Sequence, residues 1–438
     1  MSALALALLG IAVLVLFILA RVPVAVALGL VGYFGYAAID GFMRANLTIG
    51  SLPIELASYT FSVVPLFTLM GAVAAISGLS SDLFRASHVV LRGTRGSLSI
   101  ASIFASALFG AVCGSSVATA LTMSKVSIPE MLAAGYRPSL AAGAVAAGGT
   151  LGILIPPSLI LMIYAIIAQQ SVAELFAAAL IPGIVLTGLY CIVAVVLSRR
   201  MIHDAAAARP DAAAPRATPE PVGRALARIW HVVLLFVVTL GGIYTGWFTP
   251  TEAAAVGALG ALVLGFATRR LSLSDAATSL LDSVRLVASV IFIVMASTMF
   301  SYFIVQTGLS NAIADGMAAA GLGGTAVIVL LCLIYIVMGC FLEGIAMILI
   351  TVPITLPLVL SFGYDPVWFG VLLVILIEIG LVTPPLGMNL FVIKAVSPGL
   401  SIPDIYRGAM PFLAAPLVLI AAMIAWPGLA LWLPSMLN

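Results

Sequence analysis

Long apolar runs with almost no charged side chains dominate this chain. Residues 3–20, 229–246 and 371–377 with their flanks are nearly free of charge. A helix needs roughly 20 apolar residues to span lipid, because every backbone N–H and C=O must be paired within the segment. Asp, Glu, Lys and Arg make up only 8% of the 438 residues, against about 25% in soluble domains. The runs predict an all-α integral membrane protein with many spans and exclude a soluble domain.

Hydropathy predicts about ten transmembrane helices and one polar interruption. The interruption is residues 199–228, whose middle part, 205–223, is rich in Ala and Pro and is typical of a flexible linker. We therefore expect a first unit at 1–198, a cytoplasmic linker at 199–228 and a second unit at 229–438. The net charge of +2 gives no indication of nucleic-acid binding. The predicted spans lie near 2–20, 22–38, 58–77, 139–168, 172–198, 229–247, 252–268, 286–306, 367–395 and 408–426.

The two units resemble each other in sequence. Gly110 opens the segment GAVCG, which matches GCFLE from Gly339 at an offset of 229 residues. GILIPP at 152–157 matches GLVTPP at 380–385 at an offset of 228. Several short matches in one register indicate an internal repeat. Two further matches keep this register: 78–80 with 308–310, and Pro23 with Pro250.

Basic residues indicate that the two repeats are inverted in the membrane. The predicted loop at 85–95 carries three Arg residues and its mate at 315–324 carries none; the loop at 40–57 carries one and its mate at 267–285 three. Lys and Arg accumulate in cytoplasmic loops, so mates of unequal charge face opposite sides. Inverted repeats of this kind are common in secondary transporters.

Two apolar segments, 97–128 and 326–358, are predicted to be re-entrant hairpins. If 85–95 and 199–228 are both cytoplasmic, the chain crosses an even number of times between them, and the spans at 139–168 and 172–198 supply both crossings. Segment 97–128 must then enter and leave on one side, and symmetry predicts the same for 326–358. Irregular backbone at the hairpin tips is tolerated only where protein buries it or a wet cavity adjoins it.

The tip of the first predicted hairpin is small and polar. Gly114, Ser115 and Ser116, followed by Thr119, offer hydroxyl groups and carbonyls where the chain reverses. Hard cations such as Na⁺ prefer oxygen ligands. Close helix packing also favours Gly, Ala and Ser, so this alternative stays open from composition alone.

Paired prolines are predicted to break the helices at 139–168 and 367–395. Proline has no N–H, and two in succession cannot continue a helix. The carbonyls freed before the break, and the positive end of the half-helix that follows, are suited to holding an anion and its coupling ion. A simple proline kink is the alternative. The polar residues near the two breaks are Gly149, Thr150, Pro156 and Ser158 in the first half and Thr383, Pro384, Gly387 and Asn389 in the second.

Two glutamates, Glu343 and Glu378, fall inside predicted membrane segments. A charge at this depth costs about 2.5–3.5 kcal/mol on insertion scales and needs a partner or a wet cavity. Glu343, in the second hairpin, is suited to neutralising a cation or carrying a coupling proton. For Glu378 a structural role is the stronger interpretation, because its motif holds no other candidate ligand.

Catalytic motifs are missing from the sequence. There is no HExxH motif, no pair of intramembrane Asp residues and no His near a hairpin tip. Ser115 and Ser116 resemble an intramembrane serine nucleophile only loosely, because no general base accompanies them. We expect a transporter, not an enzyme, and no cofactor besides a coupling ion.

Four motifs together resemble the large membrane subunit of the TRAP (tripartite ATP-independent periplasmic) transporters. They are FGAVCGSSVATA at 109–120, GTLGILIPPS at 149–158, GCFLEG at 339–344 and TPPLGMNLFV at 383–392. The resemblance extends over almost the whole chain and keeps the order of the motifs. It implies an elevator-type transporter of the bacterial inner membrane that uses a Na⁺ gradient to import a small organic acid, such as a C4-dicarboxylate or sialic acid.

The resemblance also implies partners and site residues. The expected partners are a separate small four-helix membrane subunit and a soluble periplasmic binding protein. Glu343 stands where the family often has Asp, which leaves the coupling ion open between Na⁺ and a proton. The alternatives are a stand-alone Na⁺- or H⁺-coupled carboxylate symporter and a channel. The implied Na⁺-binding positions are Gly114, Ser115, Ser116, Gly149, Thr150, Gly339, Glu343, Gly344, Thr383, Pro384 and Gly387, and the implied substrate positions are Ser116, Thr119, Pro156, Ser158 and Asn389.

Overall fold

The computed structural model describes residues 2–56, 59–94, 96–201, 221–385 and 387–437, and these residues contain helices and no strand. Short 3₁₀ segments occur at Tyr59–Ser62 and Met410–Leu413, and a π-helical segment occurs at Val237–Gly241. The α-helices are α1 (Ala3–Leu19), α2 (Val24–Asp40), α3 (Phe42–Leu56), α4 (Val63–Ile76), α5 (Leu79–Val90), α6 (Ser97–Cys113), α7 (Ser116–Ala133), α8 (Pro138–Leu154), α9 (Leu159–Ala168), α10 (Val172–Met201), α11 (Val222–Arg228), α12 (Trp230–Phe236), α13 (Gly242–Tyr244), α14 (Pro250–Ala267), α15 (Leu273–Thr307), α16 (Leu309–Ala319), α17 (Gly324–Gly339), α18 (Gly344–Ser361), α19 (Pro366–Val382), α20 (Met388–Val396), α21 (Ile402–Ala409), α22 (Ala414–Ala425) and α23 (Gly428–Leu437).

The all-α membrane fold is confirmed. Within the described ranges, six helices are long and apolar enough to cross a membrane, and two bent pairs raise this number to as many as eight. Three shorter apolar helices, α1, α2 and α19, account for the rest of the ten predicted spans. The sequence-based number is larger because it counts short and bent helices as full spans.

Two segments predicted as loops are largely helical. Residues 42–56 form α3, and α15 begins at Leu273, well inside the predicted loop at 267–285. Both stretches mix polar and apolar side chains, so their mean hydropathy falls below that of a span although they are helical. The predicted linker also has helical ends, since α10 continues to Met201 and α11 begins at Val222. The middle of the linker, 202–220, lies outside the described residues.

The hairpin and the broken helix of each half meet through a pair of glycines. A Cβ atom built on Gly110 of α6 would lie 2.5 Å from the Cα of Gly152 in α8. In the second half, a Cβ atom on Gly380 of α19 would lie 2.6 Å from backbone atoms of Gly339 in α17. These are the residues that the sequence repeat matches. The same backbone contact therefore occurs once in each half.

Four helix pairs form the two hairpins and the two broken helices. The first hairpin is α6 and α7, which turn at Gly114 and Ser115, and the second hairpin is α17 and α18, which turn at 340–343. The first broken helix is α8 and α9, interrupted at 155–158, and the second broken helix is α19, which ends at Val382, and α20, which begins at Met388. Both Pro–Pro peptide bonds at the breaks are cis.

Candidate ion and substrate site

A cavity of about 310 Å³ lies where the two hairpin tips and the two broken helices meet. Its volume is at the lower end of the range of small-molecule sites, about 300–1,000 Å³. Its walls are mainly apolar, as in most such sites, and a few polar groups face the space. The hydroxyl- and carboxylate-bearing residues that line it are Thr68, Ser115, Ser116 and Glu343.

Gly114 forms the turn of the first hairpin and contacts the first break. Its φ is +65°, a conformation that residues with a Cβ rarely adopt. A Cβ atom there would lie 2.8 Å from the carbonyl oxygen of Pro157. The Leu159 N–H donates a hydrogen bond to the Gly114 carbonyl at 3.4 Å. Backbone of the tip and backbone of the break are thus in direct contact.

Ser158 closes the first break by bonding to both half-helices. Its hydroxyl donates to the Ile153 carbonyl at 2.5 Å and accepts from the Leu161 N–H at 3.3 Å. A carbonyl freed by the prolines and an N–H at the start of α9 are both satisfied in this way. Ser158 is fully buried. Its side chain supports the backbone that faces the cavity.

Glu343 is the N-cap of α18 at the tip of the second hairpin. Its carboxylate accepts a hydrogen bond from the Ala346 N–H at 3.4 Å, and the side chain is exposed where it lines the cavity. The next residue, Gly344, packs closely on α19, because a Cβ atom there would lie 2.7 Å from Cγ2 of Ile377. The second tip therefore presents a carboxylate to the cavity from a tightly packed turn.

Asn389 connects the second broken helix to the first hairpin. Its Nδ2 donates to the Ser116 hydroxyl at 2.7 Å, and the side chain is fully buried. Within the described residues, its Oδ1 has no hydrogen-bond partner. The Thr383 hydroxyl, before the break, donates to the Ile379 carbonyl at 2.6 Å. The bond between Asn389 and Ser116 joins residues that are 273 positions apart and belong to different halves.

Four helices begin at the cavity wall. Ser116 starts α7, Leu159 starts α9, Gly344 starts α18 and Met388 starts α20, and all four residues line the cavity. A helix N-terminus carries roughly +0.5 of an elementary charge and attracts anions. The lining of this cavity, within the described part of the chain, includes no Lys or Arg. Positive potential in the cavity therefore comes from backbone, close to the hydroxyl groups and the Glu343 carboxylate.

The structure brings only part of the predicted site residues to the cavity wall. Gly114, Ser115, Ser116, Glu343 and Gly344 line it, and their role as ligands stays a prediction. The others lie behind the wall or beside it, and their roles also remain predictions. These are Gly149, Thr150, Gly339, Thr383, Pro384 and Gly387 among the ion positions and Thr119, Pro156, Ser158 and Asn389 among the substrate positions.

Several of the residues outside the wall have structural partners. The Thr150 hydroxyl donates to the Ala147 carbonyl at 2.8 Å and lies 3.1 Å from the Tyr190 hydroxyl. The Thr119 hydroxyl donates to the Ser115 carbonyl at 2.7 Å. A Cβ atom on Gly149 would lie 2.8 Å from that of Ala120. Gly149 therefore packs closely against α7.

Glu378 is buried in α19 and does not line the cavity. In the part of the chain that the structure describes, neither of its carboxylate oxygens has a hydrogen-bond partner. Its motif holds no second candidate ligand, and among the described residues Glu378 is not part of any group of three or more His, Cys, Asp or Glu side chains.

Other cavity residues have no signal in the sequence. Phe67 and Thr68 of α4 and Leu286 of α15 line the cavity. Thr68 is a single hydroxyl in an apolar helix, and it donates to the Val64 carbonyl at 2.7 Å. Only the packing of distant helices brings these side chains to the site, so no local pattern marks them.

Comparisons with known proteins identify the family of the chain. The model of the DctM component of the tripartite ATP-independent periplasmic transporters matches residues 11–429. The C4-dicarboxylate TRAP transporter large permease protein DctM of Pseudomonas aeruginosa is 36% identical over 382 residues, 87% of each chain. The sialic acid TRAP transporter large permease protein SiaM of Vibrio cholerae is 32% identical over 380 residues, 86% of this chain and 87% of that one.

A solved structure has the same overall fold. The YdaH transporter of Alcanivorax borkumensis aligns with a TM-score of 0.63 at 18% identity and covers 89% of each chain. This likeness concerns the fold alone. The family match and the apolar helices make the chain a multi-pass protein of the bacterial inner membrane. The chain belongs to the DctM family, the large membrane subunits of the TRAP transporters.

Proposed function

We propose that this subunit imports a small organic acid together with Na⁺. The observation that carries the proposal is the meeting of four helix N-termini at a cavity whose lining, in the described residues, includes no basic side chain. Such a cavity attracts a carboxylate through backbone N–H groups. The hydroxyl groups of Ser115 and Ser116 and the Glu343 carboxylate are oxygen ligands of the kind that Na⁺ prefers. A bound Na⁺ adds positive charge next to the substrate.

The substrate class is proposed from the cavity and the relatives together. Two similar proteins are named for C4-dicarboxylate and sialic acid transport. Both substrates carry carboxylate groups, and a volume of about 310 Å³ suits a small molecule. We therefore expect an acid of one of these classes, or a related carboxylate. We also propose that a separate small membrane subunit and a periplasmic binding protein complete the transporter.

Uptake into proteoliposomes tests this proposal. The chain is reconstituted with its small subunit, the binding protein is added outside, and the acid that co-purifies with the binding protein serves as labelled substrate. We expect uptake only when Na⁺ is higher outside and both partners are present. Uptake without the small subunit and the binding protein would favour the stand-alone symporter. Uptake driven by a proton gradient in the absence of Na⁺ would assign the coupling to H⁺. Flux without any coupling ion would indicate a channel.

We propose further that the hairpins and broken helices move as one body, in an elevator motion. The support is the set of contacts that hold them together: the two glycine pairs, the bond from Asn389 to Ser116, and the Tyr164 hydroxyl donating to the Pro366 carbonyl at 2.6 Å. Such a body carries the cavity with it, so the cavity opens to each side of the membrane in turn.

Cys113 is a natural probe of this motion, because it lines the cavity and is partly exposed. In a variant that keeps only this cysteine, a membrane-impermeant thiol reagent should react from either side, and Na⁺ with substrate should slow the reaction at least fivefold. Cys191 of α10, also partly exposed but outside the cavity wall, is the matched control and should react independently of ligand. Access from one side under all conditions would contradict the elevator.

A further inference from the structure

Three of the four helix starts at the cavity are already capped by side chains. At α7 the Ser115 hydroxyl accepts a hydrogen bond from the Ala118 N–H at 3.4 Å. At α9 the Ser158 hydroxyl accepts from the Leu161 N–H at 3.3 Å. At α18 the Glu343 carboxylate is the cap, and its negative charge repels a second anion. These caps use part of the N–H groups that could otherwise bind a ligand.

The start of α20 is the open one. Its N-cap is Gly387, and no side chain in the described part of the chain forms a capping hydrogen bond there. Met388, the first residue of this helix, lines the cavity. The first N–H groups of a helix have no partner within the helix, so this start is suited to an anion. The cavity therefore offers one open anion position, which suits one carboxylate.

Apolar side chains form most of the remaining wall. The Thr68 hydroxyl also faces the cavity, but it already donates to a carbonyl of its own helix. A second carboxylate or a row of hydroxyl groups on the ligand would lose water here without gaining enough partners, which weakens binding. A hydrocarbon group would gain binding free energy from the same wall. The apolar residues come from five helices of both halves and include Phe67, Met162, Leu286, Ile345 and Leu381.

We propose that the cavity selects a monocarboxylate with a short, branched apolar tail. This substrate class rests on the proposed function and narrows it. The carboxylate binds at the start of α20, where Asn389 donates to Ser116 and so keeps this position next to the hydroxyl groups proposed for Na⁺. The tail packs on the apolar wall. A C4-dicarboxylate would bring its second carboxylate to that wall, and sialic acid would bring hydroxyl groups there.

Two acids of the same shape test the proposal. In 4-methylpentanoate an isopropyl group replaces the second carboxylate of succinate, and the rest of the molecule is the same. The variant that keeps only Cys113 is purified with its small subunit in neutral detergent, without the binding protein, and alkylation of Cys113 is followed in saturating Na⁺. We expect 4-methylpentanoate to halve the alkylation rate at a concentration at least about 30-fold lower than succinate, because a charge buried without a partner is costly. The rise in melting temperature with each acid gives the same ranking without relying on Cys113.

Three controls accompany this comparison. The alcohol 4-methyl-1-pentanol has the same tail without the charge and should neither protect Cys113 nor raise the melting temperature. Leu286→Arg places a cation on the apolar wall and should lower the succinate concentration needed at least about tenfold, without helping 4-methylpentanoate. Leu280→Arg, at an exposed position of α15 outside the cavity wall, should change the response to neither acid.

Different results would contradict the substrate class and the proposed function. Equal or better protection by succinate would overturn the monocarboxylate but leave an anion-binding cavity, and so would an unchanged response to succinate in Leu286→Arg. Protection and stabilisation by neither acid would overturn the proposed function together with the substrate class. Equal effects of the alcohol and of 4-methylpentanoate would do the same, because the cavity would then not recognise a carboxylate.

Discussion

Valine in place of Gly380 is expected to lower the free energy of unfolding by about 3 kcal/mol, the upper end of the usual cost of overpacking. The Cβ atom would lie 2.6 Å from backbone atoms of Gly339, so the second hairpin and the second broken helix must move apart. The same change at Gly110 should cost a similar amount, because its Cβ atom would lie 2.5 Å from the backbone of Gly152. Thermal unfolding of the purified protein in detergent measures both losses.

Gly188 of α10 is the matched control for these two variants. It is a helical glycine on an exposed face, and no atom lies within 4 Å of a Cβ atom built there. Gly188→Val should therefore melt near the wild-type temperature. If Gly380→Val and Gly110→Val behaved like this control, the backbones of hairpin and broken helix would not be in contact. If only one of them were destabilising, the two halves would not share this contact.

Gly114→Ala is expected to lower sodium-driven uptake at least tenfold and to raise the Na⁺ concentration needed for half-maximal uptake. The methyl group would lie 2.8 Å from the Pro157 carbonyl oxygen, and this backbone must shift to accept it. Ser115 and Ser116 follow directly and move with the tip. A displacement of about 1 Å at a site can reduce its activity by a factor of about 100. Initial uptake rates in proteoliposomes at varied Na⁺ concentrations measure the effect.

Gly308→Ala is the control that separates the effect of the contact between Gly114 and Pro157 from the effect of backbone strain. Gly308 has a φ of +66°, almost the same as the +65° of Gly114, but no atom lies within 4 Å of its Cβ position. Alanine in the left-handed region costs about 1–2 kcal/mol at either position. Gly308→Ala should therefore lose stability but keep its uptake rate. Equal uptake by the two variants would mean that the close approach of tip and break is not needed for transport.

The sequence predicted the parts of the site that local chemistry defines. The paired prolines at 156–157 and 384–385 cannot continue a helix, and the structure has its breaks there. Gly114 permits a left-handed turn, and the first hairpin reverses at this residue. Each of these features depends on a few adjacent residues. Local sequence was therefore enough to locate them.

Features that depend on tertiary packing could not be predicted in this way. Thr68 and Leu286 reach the cavity from helices that are distant in sequence, and nothing in their own segments distinguishes them. The bond from Asn389 to Ser116 needs the arrangement of both halves to be known. Amphipathic helices were missed for a different reason. Hydropathy averages over all sides of a helix, so the polar side of α3 lowers the mean hydropathy of its segment. This segment was therefore predicted as a loop.

The four converging helix starts have a consequence for how the family varies. The attraction that we propose comes from peptide groups and does not depend on which side chains occupy the wall, so any sequence that keeps these helix starts keeps the proposed preference for anions. Side chains around the space are then free to change in size and shape without loss of that preference. On this proposal, relatives named for acids as different as a C4-dicarboxylate and sialic acid share one way of holding a negative charge.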